Sequence, residues 1–198
     1  MPRLSIDIAQ PIDGLSSIFP KPVSEVWLEI GFGGGEHLAA EARAFPAKGF
    51  IGCEVFLNGI AQALSRIEEQ GIKNIRFYKG DARHFIGSLP AASLDGVYLL
   101  YPDPWPKRRH WRRRFLSLEM LARLARVMKS SAELRFATDI DDNAGWTLLQ
   151  ILNSPHFTWR AESPEDWRRP WAGWGGTRYE AKALRQGRRP AYLTFVRN

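Results

Sequence analysis

Short apolar runs alternate along this chain with amphipathic stretches, and the spacing between them predicts the elements. Val26-Trp-Leu-Glu-Ile30 reads as a short buried strand running into the glycine-rich segment 31–35. Glu36 to Phe45 supplies a helix closed by Pro46, and Gly49 to Val55 a second strand. Leu57 to Gln70 follows as a helix with Ile60, Leu64 and Ile67 at i, i+4 and i+7, and Gly71 stands just past its end. Asn74 to Tyr78, Leu94 to Leu100 and Glu133 to Ala137 read as further strands. Between the last two, Phe115 to Met128 places Leu118, Leu121, Ala122, Ala125 and Met128 on one helix face, as a crossover connection should. Phe157 to Arg160 and Ala191 to Val196 read as two strands joined by a long Trp/Arg/Gly-rich loop, of a length that is usually functional. The expectation is therefore an α/β fold: a mostly parallel central sheet with helices on both faces and an antiparallel C-terminal strand pair.

Each of the first five strands ends in a charged or glycine-rich turn, and ligands of open α/β sheets bind at that edge. Gly31 and Gly33 let a ligand approach the backbone closely. A dinucleotide fingerprint wants glycine or alanine where this chain has Glu36, an acid that would repel a pyrophosphate at a helix N-terminus. Glu29, and Glu54 at the end of the second strand, instead suit a ligand carrying an ammonium or sulfonium charge and a ribose diol. Asp81 can accept from an adenine amino group. Together these residues describe an S-adenosylmethionine site. The plainer readings are that Glu29 and Glu54 are solvated strand-end acids and that Asp81 caps a short helix, which could coexist with ligand binding.

Composition excludes several classes. Hydrophobic residues are 44% and charged residues 25% of the 198, ordinary for one packed domain and too balanced for long disorder. The longest apolar runs fall far short of the ~20 residues a membrane span needs, and Met1 to Pro22 lacks the pattern of a secretory leader, so a cytoplasmic protein is expected. The single cysteine, Cys53, reads as a packing thiol; it can form neither an internal disulfide nor a zinc cluster, and no metal is expected.

The net charge of +7 is unevenly held. Residues 1–106 carry nine basic and twelve acidic side chains, residues 107–198 nineteen and nine. The first part thus reads as a Pro-punctuated lead-in (1–25) and a mainly cofactor-facing half (26–106), and the second as the half that meets a polyanion. Six of the eight positions 107–114 are Lys or Arg, interleaved with His110 and Trp111, as expected of a phosphate-binding run beside a stacking residue. Just before it, Pro102 and Pro104 present Asp103 from a stiff turn.

These residues resemble the bacterial tRNA (guanine-N7-)-methyltransferases, a family of Rossmann-like class I methyltransferases. The likeness runs from about residue 26 to 196, through Glu29-Ile-Gly-Phe-Gly-Gly-Gly35, Gly52-Cys-Glu-Val55, Gly80-Asp-Ala82, Tyr101-Pro-Asp-Pro-Trp-Pro-Lys107 with its arginines, Ala137-Thr-Asp139 and Thr177-Arg-Tyr-Glu180. The resemblance implies that Glu29, Gly31, Gly33, Glu54, Asp81 and Asp103 line the S-adenosylmethionine site, with Asp103 catalytic. It implies that Lys107, Asp139 and Thr177, Arg178, Tyr179 and Glu180 contact the substrate guanosine, with Glu180 accepting from its N1 and N2 donors. Arg109, His110, Trp111, Arg112, Arg113 and Arg114 would meet the RNA, whose modified nucleoside would be guanosine 46 of the tRNA variable loop. Two other readings stay open. Asp103-Pro-Trp also resembles the turn of exocyclic-amine methyltransferases, without its second proline, and a noncatalytic RNA-binding protein could retain the same scaffold.

Overall fold

The computed structural model describes residues 4–7 and 14–198, so part of the 1–25 lead-in lies outside the described residues. Its centre is one seven-stranded sheet in the order β3-β2-β1-β4-β5-β7-β6. The strands are β1 (Val26–Ile30), β2 (Gly49–Glu54), β3 (Ile75–Lys79), β4 (Leu94–Leu100), β5 (Met128–Thr138), β6 (Phe157–Trp159) and β7 (Ala191–Arg197). β1 to β5 pair in parallel, and β7 runs antiparallel to both β5 and β6. The expected mostly parallel sheet with an antiparallel C-terminal pair is what the chain forms.

All five residues of β1 are buried, because both sheet faces are covered. Alternation sends Leu28 into one core and Trp27 into the other. The helices α1 (Glu36–Ala44) and α2 (Leu57–Glu69) pack Leu38, Ile60, Ala63 and Ile67 around Trp27 and Phe50. On the opposite face α3 (Ala82–Ser88), α4 (Leu118–Val127) and α5 (Asp141–Leu152) pack Phe85, Leu121 and Ile151 around Leu28 and Leu134. Full burial of each such side chain stabilises the fold by about 1.5–3 kcal/mol. No described helix is long and apolar enough to cross a membrane.

Four expectations are corrected. The crossover helix begins at Leu118, where Ser117 accepts from the Met120 N–H as its cap, and buries Met120, Leu121, Leu124, Ala125 and Val127. Leu118 and Ala122 face outward, because both stripes fit a 3.6-residue period and only the cap and the direct join to β5 set the rotation. Strand β5 is longer than Glu133 to Ala137, starting at Met128 and shifting register against β4 before Glu133, with φ of 64° at Ser131. The helix α5 has no counterpart in the expected order of elements. Finally, the long C-terminal loop holds two short helices, α6 (Glu165–Arg168) and α7 (Arg178–Arg185).

Candidate active site

Strand order reverses between β1 and β4, so the loops leaving their carboxyl ends diverge and open a cleft of about 1080 Å³. Gly31, Gly33, Glu54, Asp81 and Asp103 line it, with Arg112 and Arg113 on one side and Arg178 and Tyr179 on another. Gly31 and Gly33 have φ of 72° and 56°, the left-handed region that other residues enter at a cost of about 1–2 kcal/mol. A Cβ at Gly31 would stand in open space, whereas one at Gly33 would come 3.1 Å from the Arg178 guanidinium.

The acids at the strand ends differ in what they already hold. Glu54 Oε2 accepts from the Gly33 N–H at 2.9 Å, while Oε1 accepts from the Val55 and Phe56 N–H groups at 2.7 and 3.0 Å. A carboxylate has about four lone-pair directions, so one remains toward the cleft. Asp81 caps α3 through the Arg83 N–H at 2.8 Å and pairs with the Arg83 guanidinium at 3.3 Å, so the helix-cap reading holds beside a position on the cleft wall. Glu29 is a correction. Strand alternation buries its carboxylate beneath α1, where Oε2 meets His37 Nδ1 at 2.8 Å, and it does not line the cleft. There it ties β1 to α1 across the glycine loop.

Asp103 stands apart. It is exposed on the cleft wall, and among the described residues nothing donates to its carboxylate. The residues on either side of Pro102-Asp-Pro104 are strained: Tyr101 and Trp105 have φ of 50° and 42° without being glycine.

The basic run winds into a short 3-10 helix, Arg108–Arg113, whose three-residue repeat stacks Arg108 over Trp111 at 5.6 Å. Lys107, Arg109, Arg112 and Arg113 are exposed; Arg113 lies 4.7 Å over Trp105, whose ring edge meets His110. Two members of the run do something else. Trp111 packs against Trp146 of α5 with ring centroids 5.4 Å apart, so its ring is not free to stack on a base. Arg114 is 3% exposed and bonded on all sides by protein, which removes it from the residues that could meet RNA.

The Thr177–Glu180 segment also divides. Arg178 and Tyr179 line the cleft, with the Arg178 guanidinium 3.3 Å from the Tyr179 hydroxyl and 3.4 Å from Gln62 Oε1. Thr177 and Glu180 form a reciprocal capping box at the start of α7. The Glu180 carboxylate accepts from Trp174 Nε1 at 2.7 Å and from the Tyr192 hydroxyl, and is buried. Its expected contact with a guanine edge is therefore corrected: the carboxylate is buried among Trp174, Thr177 and Tyr192 and does not line the cleft. Asp139 likewise accepts from Arg188 at 2.6 Å and lies off the cleft.

Several cleft residues went unread in the sequence. Asn58 and Gln62 sit at i and i+4 on α2, a polar pair lining the cleft, which the pattern could have shown. Tyr101 opens the Tyr101–Lys107 string but had no role assigned to it, and Arg83 carried no local signal. Cys53 is buried at the cleft floor, and desolvation, with Asp81 and Glu54 nearby, holds its thiol well above the usual range, so it stays protonated. No cluster of three or more metal-ligating side chains occurs among the described residues.

A family model described as "Putative methyltransferase" matches residues 24–192. Among curated proteins, the tRNA (guanine-N(7)-)-methyltransferase of Nitrobacter winogradskyi is 52% identical over 198 residues, covering 100% of this chain and 77% of that protein. Two solved structures share the fold. TrmN from Thermus thermophilus superposes with a TM-score of 0.60 at 16% identity, over 89% of this chain and 45% of its own. A Streptococcus mutans "putative methyltransferase" in complex with SAH gives 0.58 at 8% identity, over 89% and 90%. With near-complete coverage at such identity, the chain belongs to the tRNA (guanine-N(7)-)-methyltransferase family.

Proposed function

We propose that the protein transfers a methyl group from S-adenosylmethionine to N7 of a guanosine in tRNA, the variable-loop guanosine at position 46 by the family resemblance. The observation that carries this reading is the unpartnered Asp103 carboxylate on the cleft wall beside the exposed Arg112 and Arg113. The cofactor fits the residues present. The open space over Gly31, the remaining acceptor direction of Glu54 and the cleft volume suit a nucleoside with an attached amino acid beside a nucleobase. Gly31, Gly33, Glu54 and Asp81 would hold it. When bound, it supplies an electrophilic methyl group on a sulfonium centre.

Guanine N7 already presents an in-plane lone pair, so no side chain need remove a proton. Orientation in the cleft can lower such a bimolecular barrier by about 7–11 kcal/mol. Asp103, fixed between two prolines, favours the positive charge that develops on the purine. Lys107, Arg109, Arg112 and Arg113 would grip phosphates, and Arg178 with Tyr179 would close the base from the cofactor side.

Nucleoside analysis of tRNA after incubation with the protein and S-adenosylmethionine should show N7-methylguanosine. A tRNA with 7-deazaguanosine at the target should bind and gain no methyl group. Methylation of the deaza substrate at that nucleotide would establish the exocyclic-amine chemistry instead, and binding of unmodified tRNA with no transfer would leave only a noncatalytic RNA-binding role.

A further inference from the structure

The last arginine of the basic run is its least available. Arg114 follows the 3-10 helix directly, yet only 2% of its side chain is exposed, and its neighbours account for that. Nε donates to the Pro104 carbonyl at 2.8 Å, and Nη2 reaches the Trp105 carbonyl at 3.5 Å. The other side of the guanidinium meets Asp142, through the carboxylate from Nη2 and the backbone carbonyl at 3.4 Å from Nη1. The Trp111 and Trp146 rings lie 5.0 and 5.3 Å from its central carbon. Asp142 and Trp146 stand four residues apart on α5, so one helix face supplies both an anion and an aromatic wall.

The two carbonyls belong to the segment that presents Asp103. Pro104 follows Asp103, and Trp105 is one of the two strained residues flanking the turn. A left-handed φ at a bulky residue persists only where surroundings enforce it. Hydrogen bonds from a buried, fully charged fork to the carbonyls of residues 104 and 105 are such an enforcement.

We infer that Arg114 is a positioning residue for the reaction: seated on Asp142 and between Trp111 and Trp146, it locks the Pro102–Trp105 turn so that Asp103 points into the cleft, and it makes no RNA contact. The inference rests on the methyl transfer proposed above. Lysine keeps the charge a phosphate would need but lacks the planar fork that bridges two carbonyls and a carboxylate. The two roles therefore separate in one substitution.

Arg114→Lys should lower kcat at saturating tRNA and S-adenosylmethionine by at least about tenfold, with KM for tRNA within about twofold and the salt dependence of binding unchanged. Because a buried substitution can compromise folding, Asp142→Asn provides a second arm at a side chain that is 55% exposed. It should lower kcat at least about threefold by the same split. In both variants the amides of Tyr101, His110 and Arg114, which donate to Ala137, Lys107 and Trp111 carbonyls, should exchange hydrogen faster, while the 31–35 segment keeps its rate. Unchanged kcat in Arg114→Lys or in Asp142→Asn, or unaltered exchange in both, would each overturn the inference. Should the wild-type protein itself methylate no tRNA, the function reading fails, and hydrogen exchange alone decides whether Arg114 locks the turn.

Discussion

Two loops meet at the switch point of the sheet, and both use left-handed backbone, but by opposite means. After β1 the chain uses Gly31 and Gly33, for which φ of 72° and 56° is unstrained, and a single carboxylate, Glu54, pins the loop through the Gly33 N–H. After β4 it places Tyr101 and Trp105 in the same region without glycine, confined by prolines and by the buried Arg114. The first loop makes room for a ligand. The second holds one side chain, Asp103, in a fixed direction. Close approach of a ligand needs absence of side chain, and a directed charge needs absence of freedom, so the two loops reach similar dihedral angles with unlike residues.

The largest expected effect tests the second loop. Asp103→Ala should lower turnover by about 10²–10³-fold, the scale of removing one preorganised electrostatic partner, while tRNA affinity stays within about threefold. Steady-state kinetics beside filter binding would check this, and an equal loss in both would merge the loop with the RNA surface. For the first loop, Glu54→Ala should weaken S-adenosylmethionine by about 1.5–3 kcal/mol, read by calorimetry, since both the ligand contact and the Gly33 anchor are lost. An unchanged cofactor affinity would mean that the glycine loop needs no pin.

Gly31→Ala isolates the backbone contribution. With open space around the new Cβ, only the left-handed φ matters, and stability measured by denaturant melts should drop about 1–2 kcal/mol. No loss would show that this loop relaxes freely. The smallest effect is in the salt dependence. Replacing Arg112 and Arg113 together by Ala should flatten the slope of log affinity for tRNA against log salt by about 1.4–1.8, since both guanidinium groups are exposed. A slope that stays the same would move the phosphate contacts to Lys107 and Arg109 or to the basic side chains of α7.

Much of the molecule was legible in the residue order because it depends on local periodicity. Strand and helix alternation from Val26 to Leu100, the carboxyl-edge cleft, and the positions of Gly31, Gly33, Glu54, Asp81 and Asp103 on its wall all follow from pattern and turn chemistry. The basic surplus after residue 106 was equally plain. What could not be read was which way each polar group turns once elements pack. Glu29 lies in the glycine motif, yet pleat alternation and α1 give it to His37. Glu180 was read from its string only as a substrate contact, and the capping box with Thr177, together with Trp174 and Tyr192 six and twelve residues away, settled its partners. Arg114 looked like its five basic neighbours in the run. Only the arrival of α5, with Asp142 and Trp146 on one face, made it part of the interior. Charge and periodicity are properties of the chain, but whether a charge faces water, ligand or protein depends on which distant segment desolvates it, and that is set by the tertiary fold.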